Sequence, residues 1–456
     1  MPENPADPKR IDASPTKEFF IYMLTRDIPL TRAILDLVDN SLDGARRMRP
    51  NGDFDGLWVR AELDKDHFKI ADNCGGIPVD IARHYAFRFG RSKDAPLTPG
   101  SVGQFGVGMK RTFFKLGRHF SVHSVTSSSR FNMDIDVAQW MALDESEKAD
   151  EWHFEFQNIE DKLIDVPKNE VGTRLEVTQL YDTVGESFGL ENFLTRLKQE
   201  MSLAHSISMD KGLAITVNTI PLRHEPQTLF ESDQMKPAFI ERTYQGELLN
   251  GKPDARVNVK LYAGVAERSL HDGGWYVFCN GRMVIRADQT STTIWGQTHG
   301  MRQYHPDVAY FRGYAYFDSD DAGLLPWTTT KTGVDIDSAV YKSAQLEMVE
   351  ISKPVLTFLS NLAKEKAAIE SGDIGDSTLE EAIHSAEAKR TDSLAVTRVF
   401  VAPQPRPRPP GPRMARIQYS KPLTEVEKAK ELLDVHTFTA VGEKTFEYFM
   451  HYEEKQ

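Results

Sequence analysis

The sequence predicts an α+β protein: helices packed on one face of a mixed, mainly antiparallel sheet, then a second α/β unit and a helical C-terminal region. Three observations carry this. Two helical segments at 17–47 precede closely spaced alternating strands, whose short spacing suggests hairpins rather than a doubly wound fold. A second strand-rich run, from ARVNVKLYAG to AYFRGYAYF, leads into a long helical stretch from about Asp337 to Ser371. The segment VAPQPRPRPPGPRMAR (401–416) carries six prolines and four arginines, which reads as a stiff basic linker.

The first helices read TKEFFIYMLTRD and LTRAILDLVDNSLDGARRM, joined by a turn at Ile28 and Pro29. In the second, Leu35, Val38, Leu42 and Ala45 recur at helical spacing and form a core stripe. Alternating strands follow at LWVRAEL (57–63), HFKIAD (67–72), HFSVHSVT (119–126), RFNMDID (130–136) and TRLEVTQL (173–180). A helix at LENFLTRLKQEMSLAH (190–205) closes this unit. In the second unit Pro354 marks a bend in the long helix. TLEEAIHSAEAKR is read as helical, and the last forty residues as two short amphipathic helices.

A chain of 456 residues with 40% hydrophobic and 27% charged content has room for roughly two or three globular domains. The net charge of −12 argues against a chain-wide nucleic-acid surface and leaves room for a local basic patch. Cys74 and Cys279 are the only cysteines, so a disulfide framework is out and a reducing compartment is expected. With no apolar signal segment and no membrane-length run, the expected location is cytoplasmic, with no membrane partner.

Chemistry concentrates in three stretches. SVGQFGVGMKRTFFKLG (101–117) packs Gly103, Gly106 and Gly108 ahead of Lys110, Arg111 and an apolar helical run. Such glycines let backbone N–H groups approach a phosphate at a helix N-terminus, although their spacing alone also fits a flexible loop. Asp36 and Asn40 lie four apart on one helix face, with Asp39 and Asp43 crowding the same region. An amide oxygen there can ligate magnesium and a carboxylate can orient water; a solvated polar face gives the same pattern. IADNCGGIP (70–78) runs from a strand through Asp72 into a glycine turn, where a carboxylate can accept from an exocyclic amine such as that of adenine.

With GTRLEV (172–177) added, the ordered set resembles the GHKL superfamily of ATPases: gyrase-type topoisomerases, ninety-kilodalton heat-shock chaperones, histidine kinases, MutL and MORC proteins. LDLVDNSLDGA looks like the first motif, IADNCGGIP the second, GSVGQFGVGMKRTFFKLG the third and GTRLEV the fourth. The glycine loop is most similar in wording to MORC proteins. A weaker likeness runs on through GWYVFCNGRMV, similar to a transducer strand, and WTTTKTGVD, similar to the loop that carries a lysine to the γ-phosphate.

The resemblance implies a Bergerat-type α/β sandwich over residues 1–210 and a transducer-like domain over 211–372. A helical segment (373–400), the linker (401–420) and a helical tail (421–456) follow. It implies ATP and magnesium as ligands. Asn40 would hold the metal, Asp72 would bind adenine with Gly76 and Thr173, and Gly103, Gln104, Gly106, Val107, Gly108 and Lys110 would cradle the phosphates. Asp36 and Lys331 would be catalytic, with Asp39 as the alternative base. Two departures stand out: Asp36 occupies the usual glutamate position, so hydrolysis is expected to be slow, and Cys74 replaces a glycine, as a packed small residue. The implied function is an ATP-gated switch or dimerising clamp in DNA handling or defence against foreign DNA, with DNA or a partner protein engaged through the basic linker. The alternatives are a non-hydrolysing ATP-binding module and a chaperone-like ATPase. A histidine kinase fits poorly, because the first histidine is His67, inside the fold.

Overall fold

The structure is a computed structural model that describes residues 16–90, 98–103, 106–142, 152–249, 254–296, 300–406 and 417–453. Helices α1 (Lys17–Arg26) and α2 (Leu30–Met48) lead into β1 (Trp58–Leu63), β2 (Phe68–Asp72) and the short α3 (Val79–Ile81). Then come α4 (Gly108–Leu116), β3 (Gly117–Val125), β4 (Ser129–Asp136), α5 (Val137–Met141), β5 (Phe156–Asp161) and β6 (Gly172–Leu180). The unit closes with α6 (Asp182–Phe188), α7 (Glu191–Ala204), α8 (Ser206–Asp210), β7 (Ala214–Val217) and β8 (Ile220–Pro221). Strand order is β5-β4-β3-β6-β2-β1-β7-β8, and every pair is antiparallel except β1 with β7.

Alternating burial along β1 and β6 gives the sheet one apolar face for the helices. Leu35, Val38, Leu42 and Ala45 of α2 are fully buried, as their spacing predicts. Helix α2 packs along α4, where Thr112 Oγ1 donates to Ala33 O at 2.6 Å. Phe113 stacks on Phe120 of β3 at 4.3 Å, which fixes α4 on the sheet. Each such buried aromatic contributes about 1.5–3 kcal/mol.

The second unit places β9 (Thr228–Glu231) before a sheet of β10 (Ala238–Gln245), β11 (Arg256–Val265), β12 (Gly274–Cys279), β13 (Arg282–Asp288) and β14 (Phe311–Asp318). Its order is β10-β11-β14-β12-β13, with β12 and β14 parallel. Asn280 and Gly281, both at positive φ, form the tight turn between β12 and β13 that an Asn-Gly pair favours. Helix α9 (Ala339–Glu370) covers β10, β11 and β14 and runs through Pro354 as one 32-residue element.

TLEEAIHSAEAKR is not helical throughout, contrary to its sequence pattern. Helix α10 (Thr378–His384) stops short, and β15 (Glu387–Arg390) pairs antiparallel with β9. Long-range charge contacts account for it: Lys389 pairs with Glu231 at 3.0 Å, and Arg390 with Asp210 at 2.5 Å. The stretch read as linker also starts inside the packed body. Val401 bridges Lys236, Phe400 is buried, and Arg406 N–H donates to Glu365 at 2.7 Å. The remainder, 407–416, lies outside the described residues. Residues 407–456 form a separate compact unit, whose described part carries α11 (Leu423–Leu432) and α12 (Phe438–Glu453).

Candidate functional site

A cavity of about 300 Å³ opens beside α2. Asp36, Asn40, Asp72, Gly76, Gly103, Gly106, Val107, Gly108, Lys110, Thr173 and Lys331 all line it. Gln104 lies outside the described residues. The cavity therefore gathers one helix face, the turn after β2, the start of β6, the glycine loop into α4, and a loop from the second unit.

At one end stands Asp72. Its Oδ2 accepts from Ser41 Oγ at 2.7 Å, and its Oδ1 accepts from the N–H groups of Cys74 (2.9 Å) and Thr173 (3.3 Å). Desolvation pushes this carboxyl above its ordinary range in spite of the three donors. A carboxylate has about four acceptor positions, so one remains for a donor in the cavity. Thr173 serves through its backbone; its Oγ1 lies 3.4 Å from Ser124 Oγ, which accepts from Ile77 N–H at 2.7 Å. Gly76 adopts φ +68°, and a Cβ there would lie 2.2 Å from Val125 O, so only glycine lets the turn rest on β3. Cys74 is buried and its thiol is pushed up by desolvation and by Asp72, as suits a packed, inert small residue.

The glycine loop is held from below by Asp43. Its carboxylate accepts from Val102 and Gly103 N–H groups, each at 2.7 Å. A Cβ on Gly103 would meet Asp43 Oδ2 at 2.8 Å, so the close approach needs a glycine. Arg46 donates to Gly100 O and Asn280 O, and Asn280 Nδ2 donates to Ser101 O at 2.8 Å. The loop is thereby fastened to the second sheet.

Lys110 is buried at the loop's exit, donating to Ala86 O at 2.9 Å and to Gly106 O. Burial pushes its ammonium down to about 7. Free Lys110 thus loses its proton as pH rises through that value, and a nearby phosphate would raise the pKa again. ATP binding above about pH 7 is therefore expected to take up protons and to weaken as pH rises. Titration calorimetry in buffers of different ionisation heat checks this; heats independent of the buffer would remove Lys110 from the phosphate site.

Asp36, at the other end, is clamped between two cations. Its Oδ2 accepts from Arg111 at 2.5 Å, and its Oδ1 lies 3.5 Å from Lys331 Nζ. Lys331 sits at φ +52° at the tip of a loop closed by the Trp327–Val334 bridge, and also pairs with Asp39 at 2.7 Å. Burial opposes its charge, but Asp39 and Asp36 outweigh that and hold its pKa above the usual value.

Asp39 does not line the cavity. It is fully buried on the adjoining side of α2, with Arg282 Nε and His205 Nε2 each 2.9 Å from Oδ1. Desolvation opposes its charge, but the Arg282 and Lys331 cations and the His205 hydrogen bond outweigh that and hold its carboxyl well below the usual range. Asp39 thus anchors a buried charge cluster. Breaking such a buried pair typically costs about 3–5 kcal/mol.

Sequence reasoning passed over Ser41, Ser124, His205 and Arg282, and it noted Asp43 and Arg111 without giving them a role. Ser41 had a signal, because it follows Asn40 directly on the helix that carries Asp36. The others act across long sequence separations.

Residues 28–173 match the family described as "Histidine kinase-, DNA gyrase B-, and HSP90-like ATPase". No curated protein matches the chain. The matched span holds the α2 carboxylates, the Asp72 turn, the glycine loop and Thr173, in the order that the resemblance requires. Residues 28–173 belong to the GHKL superfamily of ATP-binding domains.

Proposed function

We propose that the chain is a magnesium-dependent ATPase working as an ATP-gated switch that closes as a two-fold dimer. The observation that carries this reading is Lys331: a side chain from the second unit enters the cavity of a GHKL domain and pairs with its carboxylates. Asp72 would accept from the adenine amine, and the glycine loop and Lys110 would meet the phosphates. The Asn40 carboxamide is exposed on the cavity wall and makes no hydrogen bond to the described residues, so it fits a magnesium ion that is otherwise held by phosphates and water. Bound there, magnesium would neutralise charge on the phosphates. A γ-phosphate would compete with Asp36 and Asp39 for Lys331 and so change how the second unit is held.

For the dimer, Phe19, Tyr22 and Met23 present an exposed apolar stripe on α1, each more than half exposed. A slowly hydrolysed ATP analogue is expected to raise the molar mass in light scattering toward that of a dimer. Lys331→Ala should blunt that response while leaving nucleotide affinity nearly intact. An unchanged mass at saturating analogue rules out the clamp. The wider task that the resemblance implies is DNA handling or defence against foreign DNA.

A second reading, a nucleotide-binding module without turnover, is favoured by the Arg111–Asp36 pair at 2.5 Å, which occupies the carboxylate that would orient water. Phosphate release from ATP by the purified chain separates the two readings.

A further inference from the structure

A second cavity, of about 1080 Å³, lies at the seam between the GHKL domain and the second sheet. Its charge is opposite to that of the chain. Seven lysines and arginines and four aspartates line it, on a chain of net charge −12. Four of these cations are already engaged: Arg46 with the Gly100 and Asn280 carbonyls, Arg49 with the Asp53 carbonyl, Lys260 with Glu241, and Arg390 with Asp210 and Asp392. Arg47, Lys211 and Arg256 are exposed and form no ion pair with the described residues. They come from the end of α2, the end of α8 and the first residue of β11, so they converge on the seam from both units. Cations in a concave wall reinforce one another's field. Guanidinium and ammonium groups left without carboxylates are suited to phosphate.

The seam also adjoins the first cavity. Arg47 and Thr98 line both. Gly100, on the seam wall, begins the stretch that Asp43, Arg46 and Asn280 tie down. A ligand here would press on the segment that leads into the glycine loop.

We propose that this seam is a second binding site, for a ligand carrying several phosphates, and that its occupancy is felt in the nucleotide cavity. The ligand is either the backbone of a nucleic-acid strand or a free polyphosphate. Binding at the seam stands by itself; the coupling rests on the ATP reading above.

The test uses the full chain with the first cavity filled by a saturating non-hydrolysable ATP analogue. A short labelled single-stranded oligonucleotide is titrated and followed by anisotropy, and inorganic tripolyphosphate is titrated separately and as a competitor. Salt-sensitive binding of either probe is expected. The double variant Arg256→Glu/Lys260→Glu should weaken it by about tenfold or more, with ATP affinity unchanged. Lys211→Glu, on the other wall, should weaken it in the same direction and serves if the double variant fails to fold. Oligonucleotide binding that tripolyphosphate does not displace identifies a strand; tripolyphosphate binding or displacement identifies a free polyphosphate. Absence of binding by both probes, or charge reversals without effect, overturns the site. Probe binding in a chain that fails to bind ATP keeps the site and removes only the coupling.

Discussion

Asp72→Asn is expected to reduce ATP affinity by roughly 30- to 700-fold while the protein stays folded, a cost of about 2–4 kcal/mol. The variant keeps an oxygen for the Cys74 and Thr173 N–H groups that Oδ1 now accepts. Ser41 can turn its hydroxyl to accept from the new amide, so the turn survives. The loss falls on the cavity side, where an amide N–H₂ would face the adenine amine, donor against donor. Selectivity should fall too: wild type should strongly prefer ATP to GTP, whose 6-oxo group offers an acceptor to an acceptor, and the variant should lose that preference. Because desolvation raises the Asp72 carboxyl, acid should act in the same direction, with ATP binding falling as pH drops through the raised value. Calorimetry on a variant with an unchanged melting profile decides it; wild-type affinity in a folded Asp72→Asn variant would take Asp72 out of the adenine site.

The legible part of the fold and site was local. Strands such as Trp58–Leu63 and Gly172–Leu180 alternate over a one-sided core, and the α2 stripe has helical spacing, so each shows its burial in a few consecutive residues. Strand Phe156–Asp161 was missed because it is an edge with nearly every side chain outward, leaving no alternation to read. Strand Glu387–Arg390 was read as helix because its polar residues carry helical propensity, while its pairing with Thr228–Glu231 is invisible from its own sequence. The cavity residues were found for the same local reason: each motif is a contiguous turn, loop or helix face. What surrounds them was not. His205 reaches Asp39 across 166 positions, and Arg111 reaches Asp36 across 75, so no spacing rule announces either. Asp36 and Asp39, three residues apart, ended in different environments because α2 turns one toward the cavity and the other toward the second sheet.

That difference bears on the second large effect. Asp36→Asn is expected to leave ATP affinity within a few-fold of wild type and to lower turnover by roughly 10²–10⁴-fold, the usual worth of general-base assistance. Before nucleotide arrives, Asp36 is held by Arg111 at 2.5 Å and faces Lys331 at 3.5 Å. Its oxygens are then occupied by cations rather than by a water. A triphosphate would offer Lys331 and Arg111 a competing anion, and Asp36 would then be released toward water. Asparagine keeps an oxygen for Arg111, so folding should survive, whereas Asp36→Ala would leave that buried guanidinium unpaired and should melt markedly lower. The kinetic signature is a fall in kcat with KM little changed, because the group acts only in the reaction step. Normal turnover by Asp36→Asn would make Asp36 a structural anchor for Arg111 and place the base elsewhere. Absence of turnover in the wild-type chain would leave the same clamp in place permanently, and the protein would work by binding ATP alone.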